Sequence, residues 1–454
     1  MSGPHAAALA ERVRAAMAKH TVPGVAVGVL DADGARTWGF GVTNVDHPLP
    51  VDADTVFEIA SITKTMTATV AACLASEGAL ELDAPVRRYL PDFRVADAAV
   101  SATVTVRDLF THTAGWFGEH LAPTGHGDDA IARGVVAMAG LEQVAPVGAF
   151  SYNNVSLIVA GRVIEVVTGR PYRDAVHERL FRPLGMTRSA FAAEDVLYER
   201  LAAGHTVRDG SAVRVRARLS ESRNGDPVGG VRSTVADLLR YAAFHLGDGT
   251  APDGTRLLPA AALGAMREPR VPIGPVGHVG LAWFLEDRGG TQVASHGGAT
   301  VAHMSQLVIV PARGAALVIL TNGANGAVLN AELQEWLLTG WLGLPPRARP
   351  AALERQPDLA PYAGRYWAPL SDIERAAEDG ELVLRLTWKG SVAERPTPPA
   401  LRLAFNGPDA VIASGPSEVP PLGDFLRAAD GSVAYFRWGG RARRRVSETG
   451  GSHP

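Results

Sequence analysis

Phe57-Glu-Ile-Ala-Ser61-Ile-Thr-Lys64-Thr-Met66 opens a run, residues 61–77, that reads as a helix apolar nearly all round, as a helix in a domain centre is. Ser61 stands at its head, and Lys64, three residues on, shares its face. A serine hydroxyl needs a base before it can attack a carbonyl. An amine in apolar surroundings, its pKa lowered by desolvation, can take that proton. The helix N-terminus favours the negative charge that develops. S-x-x-K is common by chance, and its bland alternative is a capping serine with a lysine reaching to solvent. This is the chain's only S-x-x-K, however, and of 44 basic residues only Lys19, Lys64 and Lys389 are lysines. Arginine cannot lose its proton in a protein, so a lysine kept in such a background points to use of its titratable amine.

Two further clusters extend this chemistry. Ser151-Tyr152-Asn153-Asn154-Val155-Ser156 precedes a helical stretch, Leu157–Thr168. A tyrosinate beside Lys64 can relay the Ser61 proton to a leaving group, while Asn154 donates its amide to a substrate carbonyl. Alone, the same residues describe a turn and a helix cap. Ser295-His296-Gly297-Gly298-Ala299 lies just ahead of the strand Ser305–Val310. Its glycines, Gly298 among them, let a backbone pass close to a ligand, and the N–H groups of Ser61 and Ala299 would form an oxyanion hole. Alone, this is a hairpin turn with an exposed histidine.

Outward from these clusters, residues 5–19 read as an amphipathic helix, and Val25–Leu30 and Ala35–Phe40 as a hairpin across Asp33-Gly34. Helices follow to about residue 245. Strands return at Leu281–Leu285, Gln306–Val310 and Ala315–Leu320, before a closing helix at Glu332–Leu338. Strands at both ends with helices between predict an α/β domain, an antiparallel sheet flanked by helices beside an all-α lobe, over residues 1–342. A Pro-rich linker at 343–357 leads to a different texture at 358–454, where short strands (Tyr362–Trp367, Glu381–Trp388, Leu401–Phe405, Asp424–Arg427 and Val433–Trp438) predict a small β-barrel.

In order and spacing, the three clusters resemble the serine β-lactamase and penicillin-binding-protein family: S-x-x-K, then Y-x-N, then a K/H-[TSG]-G strand. Leu109-Phe-Thr-His112-Thr-Ala-Gly115-Trp116, Gly229-Gly230-Val-Arg-Ser233-Thr234, Asp237-Leu238 and Gly280-Leu-Ala-Trp283 add to the resemblance, which covers residues 8–340. It implies a two-lobed domain with the site between the lobes. Ser61 would be the nucleophile, Lys64 and Tyr152 would share the acid–base work, and Asn154 and His296 would contact substrate. Which of Lys64 and Tyr152 takes the first proton stays open. His296 stands where many β-lactamases carry lysine, and a mostly neutral imidazole attracts a substrate carboxylate less than an ammonium does. His-x-Gly is the form of related esterases, D-amino-acid peptidases and penicillin-binding-protein-type thioesterases. The barrel resembles the lipocalin-like module of some D-aminopeptidases and peptide-cyclising thioesterases. Its last strand, read as Tyr435 to Val446, carries Arg437 between Tyr435 and Trp438, a candidate grip on a peptide carboxylate. Arg443 to Arg445 read better as a solvated basic face on an edge strand.

Composition narrows the function further. A net charge of -3 gives no basic field for nucleic acid, the single Cys73 excludes an internal disulfide, and no run reaches the ~18 apolar residues of a membrane span. Glu11, Arg12 and Arg14 interrupt any secretory-type apolar stretch, so a cytoplasmic address is expected. There is no G-x-S-x-G, H-E-x-x-H or phosphate loop. His120 and His126, with Glu119, Asp128 and Asp129, lie in a Gly-rich stretch that reads as solvated loop, so neither metal nor cofactor is expected. The expected activity is acyl-enzyme hydrolysis or transfer on small peptidyl esters, thioesters or amides, carrier-bound donors included, with a D-residue at the acyl position. A carboxylesterase and a once-acylated, non-catalytic sensor are the alternatives.

Overall fold

The computed structural model describes residues 4–119, 122–215, 222–274, 277–348, 350–394, 397–414 and 422–446. An antiparallel sheet of eight strands organises its first part. The strand order is Gly34–Gly41, Gly24–Asp31, Ala315–Thr321, Met304–Val310, Gln292–Ala299, Phe284–Asp287, His278–Val279 and Val271–Pro272. Every residue of Ala315–Thr321 is buried because both faces of this central strand are covered. Ala316, Val318 and Leu320 pack into the larger core with Leu238 and Leu239 of the helix Val235–Leu246. Ala315, Leu317 and Ile319 face a second core containing Leu9 and Val13 of the helix Pro4–His20, with Leu329 and Leu333 of the helix Gly326–Trp336.

The helix expected over 61–77 begins as a 3-10 turn, Ala60–Ile62, and continues as an α-helix, Thr63–Ser76, buried through Leu74. Four of its buried residues are threonines, which an apolar interior tolerates only if every hydroxyl is satisfied. Thr65 and Thr69 bond back to the carbonyls of Ile62 and Thr65, and Thr67 reaches those of Thr63 and Pro227. Cys73 lies in the same helix, its thiol pushed up to about 12 by burial, which leaves it inert packing.

The strand expected at Leu281–Leu285 forms instead at Phe284–Asp287. Ala282 takes a left-handed φ of 59° and gives its N–H to the Phe110 carbonyl, so the chain joins the ladder only after Trp283.

The C-terminal part is a closed barrel of eight strands in sequential order: Gly364–Ala368, Ser371–Glu378, Glu381–Trp388, Leu401–Phe405, Ala410–Ala413, Leu422–Arg427, Val433–Trp438 and Arg441–Val446. Two corrections follow. Ser371–Glu378 and Ala410–Ala413 are additional strands, and the single strand read from Tyr435 to Val446 is a hairpin that turns at Gly439 and Gly440, with φ of 57° and 76°. Arg443 to Arg445 therefore lie on no free edge, because Arg441–Val446 pairs with Val433–Trp438 on one side and Gly364–Ala368 on the other. The stretch read as linker is pinned at both ends. Leu344 is buried in the second core, Arg347 pairs with Glu286, and the Leu353 N–H bonds to the Phe405 carbonyl. Among the described residues no helix is long and apolar enough to cross a membrane.

Candidate active site

Ser61 sits between the short strand Phe57–Glu58, paired with Arg232–Ser233, and the buried helix. Ala60 just before it holds a left-handed φ of 46°, a conformation that costs an alanine about 1–2 kcal/mol and is kept only where the surroundings enforce it. Two bonds enforce it: the Ile59 N–H donates to the Val231 carbonyl at 3.1 Å, and the Ser305 hydroxyl donates to the Ile59 carbonyl at 2.7 Å. Gly298 makes room for that carbonyl, since a Cβ there would lie 2.2 Å from the Ile59 oxygen. The glycine expected to approach a ligand thus also seats the turn that carries Ser61.

Lys64 is fully buried. Its Nζ donates to Ser61 Oγ at 2.8 Å and to the Val228 carbonyl at 2.7 Å. Desolvation pulls its pKa down to about 7; the Glu119 charge opposes this, and Arg441 adds to it. Lys19 and Lys389, by contrast, form ion pairs with Glu332 and Asp372. Burial pushes the Tyr152 phenol up to about 12, against a hydrogen bond with Ser61 and the Arg441 charge. The Lys64 Nζ and the Arg441 Cζ lie 5.2 Å and 4.9 Å from the centre of the Tyr152 ring. Ser61, Asn154 and Ala299 line a cleft of about 930 Å³ that runs on to Glu58, Arg232 and His303. The Asn154 amide donates to the Glu119 carboxylate at 3.3 Å.

His296 lies within the strand Gln292–Ala299. It is buried behind the cleft beside Phe284, and burial followed by the Lys64 charge drives its pKa down to about 3. Its Nδ1 bonds the Gly297 carbonyl at 2.6 Å, its ring centre lies 6.3 Å from that of Tyr152, and its buried Nε2 has no hydrogen-bond partner among the described residues.

Arg437 requires a further correction. Its guanidinium is buried, pairs with both oxygens of Asp424 at 2.8 and 2.5 Å, and donates to the Phe150 carbonyl at 2.9 Å. It ties the barrel to the segment before Tyr152 and is not free to hold a substrate. Removing one partner of a buried ion pair strands the other, so Arg437→Ala is expected to lower stability by about 3–5 kcal/mol in urea unfolding. It should slow free-acid and amidated substrates alike. Unchanged stability with a selective loss of free-acid substrates would return Arg437 to substrate binding.

The arginine that the barrel does bring to the site is Arg441, whose Nε donates to Glu119 at 2.9 Å. Sequence reasoning passed over it, and considered Glu119 only as a metal ligand. The missed signal was Gly439-Gly440, a hairpin dipeptide that redirects the chain two residues before Ala442. Asp128 and Asp129 of the same loop pair with Arg223 and Arg133, and His120 lies outside the described residues.

Residues 9–338 match the Beta-lactamase family, and the chain belongs to it: it is a serine hydrolase of the β-lactamase and penicillin-binding-protein family. It is 36% identical over 367 residues to Penicillin-binding protein 4 of Amycolatopsis lactamdurans, covering 78% of this chain and 96% of that protein. It is 24% identical over 410 residues to an unguisins hydrolase of Aspergillus campestris, covering 86% of this chain and 73% of that one. The crystal structure of SurE matches with a TM-score of 0.78 and 27% identity over 97% of this chain and 98% of SurE. SurE with D-Leu matches at 0.76 and 26%, over 97% and 99%.

Proposed function

We propose that the chain is an acyl-enzyme hydrolase or acyltransferase for peptidyl esters, thioesters or amides, with Ser61 as nucleophile and a D-residue favoured at the acyl position. The carrying observation is the buried Lys64 amine, 2.8 Å from the Ser61 hydroxyl and bonded to no carboxylate among the described residues. With its pKa near 7, much of the amine is neutral at neutral pH, whereas Tyr152 rests as a phenol. In this reading the Lys64 amine takes the Ser61 proton, and Tyr152 relays it from Lys64 to the leaving group. The N–H groups of Ser61 and Ala299 receive the developing oxyanion, and Asn154 holds the neighbouring substrate carbonyl.

Three features support this reading. The cleft is large and runs past charged Glu58 and Arg232, which favours a peptide over a small ester. The match to SurE spans the barrel as well as the catalytic part, and one SurE structure is described with D-Leu. The relative named an unguisins hydrolase matches over 410 residues, which supports hydrolytic turnover over a single acylation. In this reading the units are a catalytic part at 1–342, a linker at 343–357 and a lipocalin-like barrel at 358–454. The proposed thioester donors include free thioesters and thioesters presented on a carrier protein.

A panel of L- and D-terminated peptidyl thioesters, with small acyl esters alongside, tests the proposal by mass spectrometry of hydrolysed and cyclic products. D-terminated donors should turn over repeatedly and at least about tenfold faster than their L counterparts. Preference for small esters would leave a carboxylesterase, and a single acylation without release would leave a sensor.

A further inference from the structure

We propose that Arg441 is a positioning residue of the Ser61 site, through which the barrel holds Tyr152 in place and, with Glu119, sets the pH range in which Lys64 acts as a base. This rests on the reading of Lys64 and Tyr152 as the proton carriers.

Residues 150–153 belong to no helix or strand, so their position depends on what bonds them. The barrel's last hairpin supplies much of that bonding. The Tyr152 N–H donates to the Gly440 carbonyl at 2.8 Å, the Ala442 N–H donates to Ser151 Oγ at 3.1 Å, and Arg437 holds the Phe150 carbonyl. On the catalytic side, the Ser151 N–H reaches the His112 carbonyl at 2.9 Å, and the Asn153 N–H reaches His112 Nδ1 at 3.1 Å. Arg441 follows directly from this backbone seam. Its guanidinium lies over the Tyr152 ring, where the electron-rich face attracts a cation, and its Nε is fixed by Glu119.

The charges that bear on Lys64 are few. Glu119 attracts an ammonium there and Arg441 repels one. His112 and His296, also close to Lys64, are held neutral by burial. Glu119 alone would favour the protonated amine, and the pairing with Arg441 offsets that attraction. A group from the barrel thereby keeps a carboxylate in the site, where it also holds Asn154, without protonating the base.

The test is acylation kcat/KM of the full chain between about pH 5 and pH 9 with an uncharged ester, so that lost recognition of a substrate carboxylate cannot contribute. In Arg441→Met the acid limb should move up by about half to one pH unit, and in Glu119→Gln down by a similar amount. Arg441→Lys should bring the limb back towards wild type. Each variant is checked by thermal melting, and Glu119→Gln keeps the test open should Arg441→Met fold poorly. If both single variants keep the wild-type limb and differ only by a pH-independent factor, Arg441 is a docking residue and the proposal falls. Tyr152→Phe and Lys64→Met run alongside. Wild-type turnover in these would overturn the proton-carrier reading itself, whereas their inactivity with an unmoved limb in Arg441→Met removes only the role given to Arg441.

Discussion

Replacing Ser61 by alanine is expected to abolish covalent labelling by a fluorophosphonate and to lower turnover by on the order of 10⁴–10⁶-fold, the loss seen when an acyl-transfer nucleophile is removed. The protein should stay folded, because the hydroxyl's bond to Lys64 contributes about 1 kcal/mol and the amine keeps the Val228 carbonyl as a partner. The left-handed Ala60 and the bonds at Ile59 do not involve the Ser61 side chain, so the turn itself should survive. Labelling and turnover measured on a variant with wild-type melting decide the matter. Turnover within tenfold of wild type would remove Ser61 from the chemistry.

Lys64→Arg is expected to cost about 10²–10⁴-fold in acylation, the range for a missing general base. Arginine keeps the positive charge but cannot release a proton near neutrality, so the substitution separates a base from a fixed charge. The sign with pH is definite. Lys64 works as the neutral amine, so wild-type acylation should fall as pH drops through about 7, while the residual rate of Lys64→Arg should show no such limb. Since the site is fully buried and a guanidinium is bulkier, Lys64→Met provides a second variant that removes the base without burying a permanent charge. Near wild-type acylation in both would show that the amine is a bystander.

What the sequence made legible was local or patterned. Ser61 and Lys64 announce themselves because three residues on a helix place two side chains together, and the rarity of lysine in this chain marks one of them. The central strands were readable as apolar runs between turn residues. Less legible were features fixed by distant partners. His296 is buried in the fold, with the rings of Phe284 and Tyr152 centred 5.0 and 6.3 Å away. Ser371–Glu378 carries four charged residues and was not among the expected strands; in the fold Arg375 is buried, its guanidinium 3.7 Å from the centre of the Phe436 ring and 4.1 Å from that of Phe425. Arg437 and Arg441 are four residues apart and equally charged. Only the turn between them decides that one becomes a buried tie and the other reaches the site.

The pairing of Gly24–Asp31 with Ala315–Thr321 has a consequence for biosynthesis. Val25 meets Thr321, so on a ribosome making about 5–20 residues per second the first strand waits roughly 15–60 s for its inner neighbour. During that interval the apolar faces of Gly24–Asp31 and Pro4–His20 lack the cover that Ala315–Thr321 and Gly326–Trp336 later provide. The barrel follows a different timetable, since each strand pairs with the one just made. Its last hairpin then leaves the ribosome after the segment it docks on. A chain halted before Gly440 would carry Ser61 and Lys64 but lack the carbonyl that receives the Tyr152 N–H.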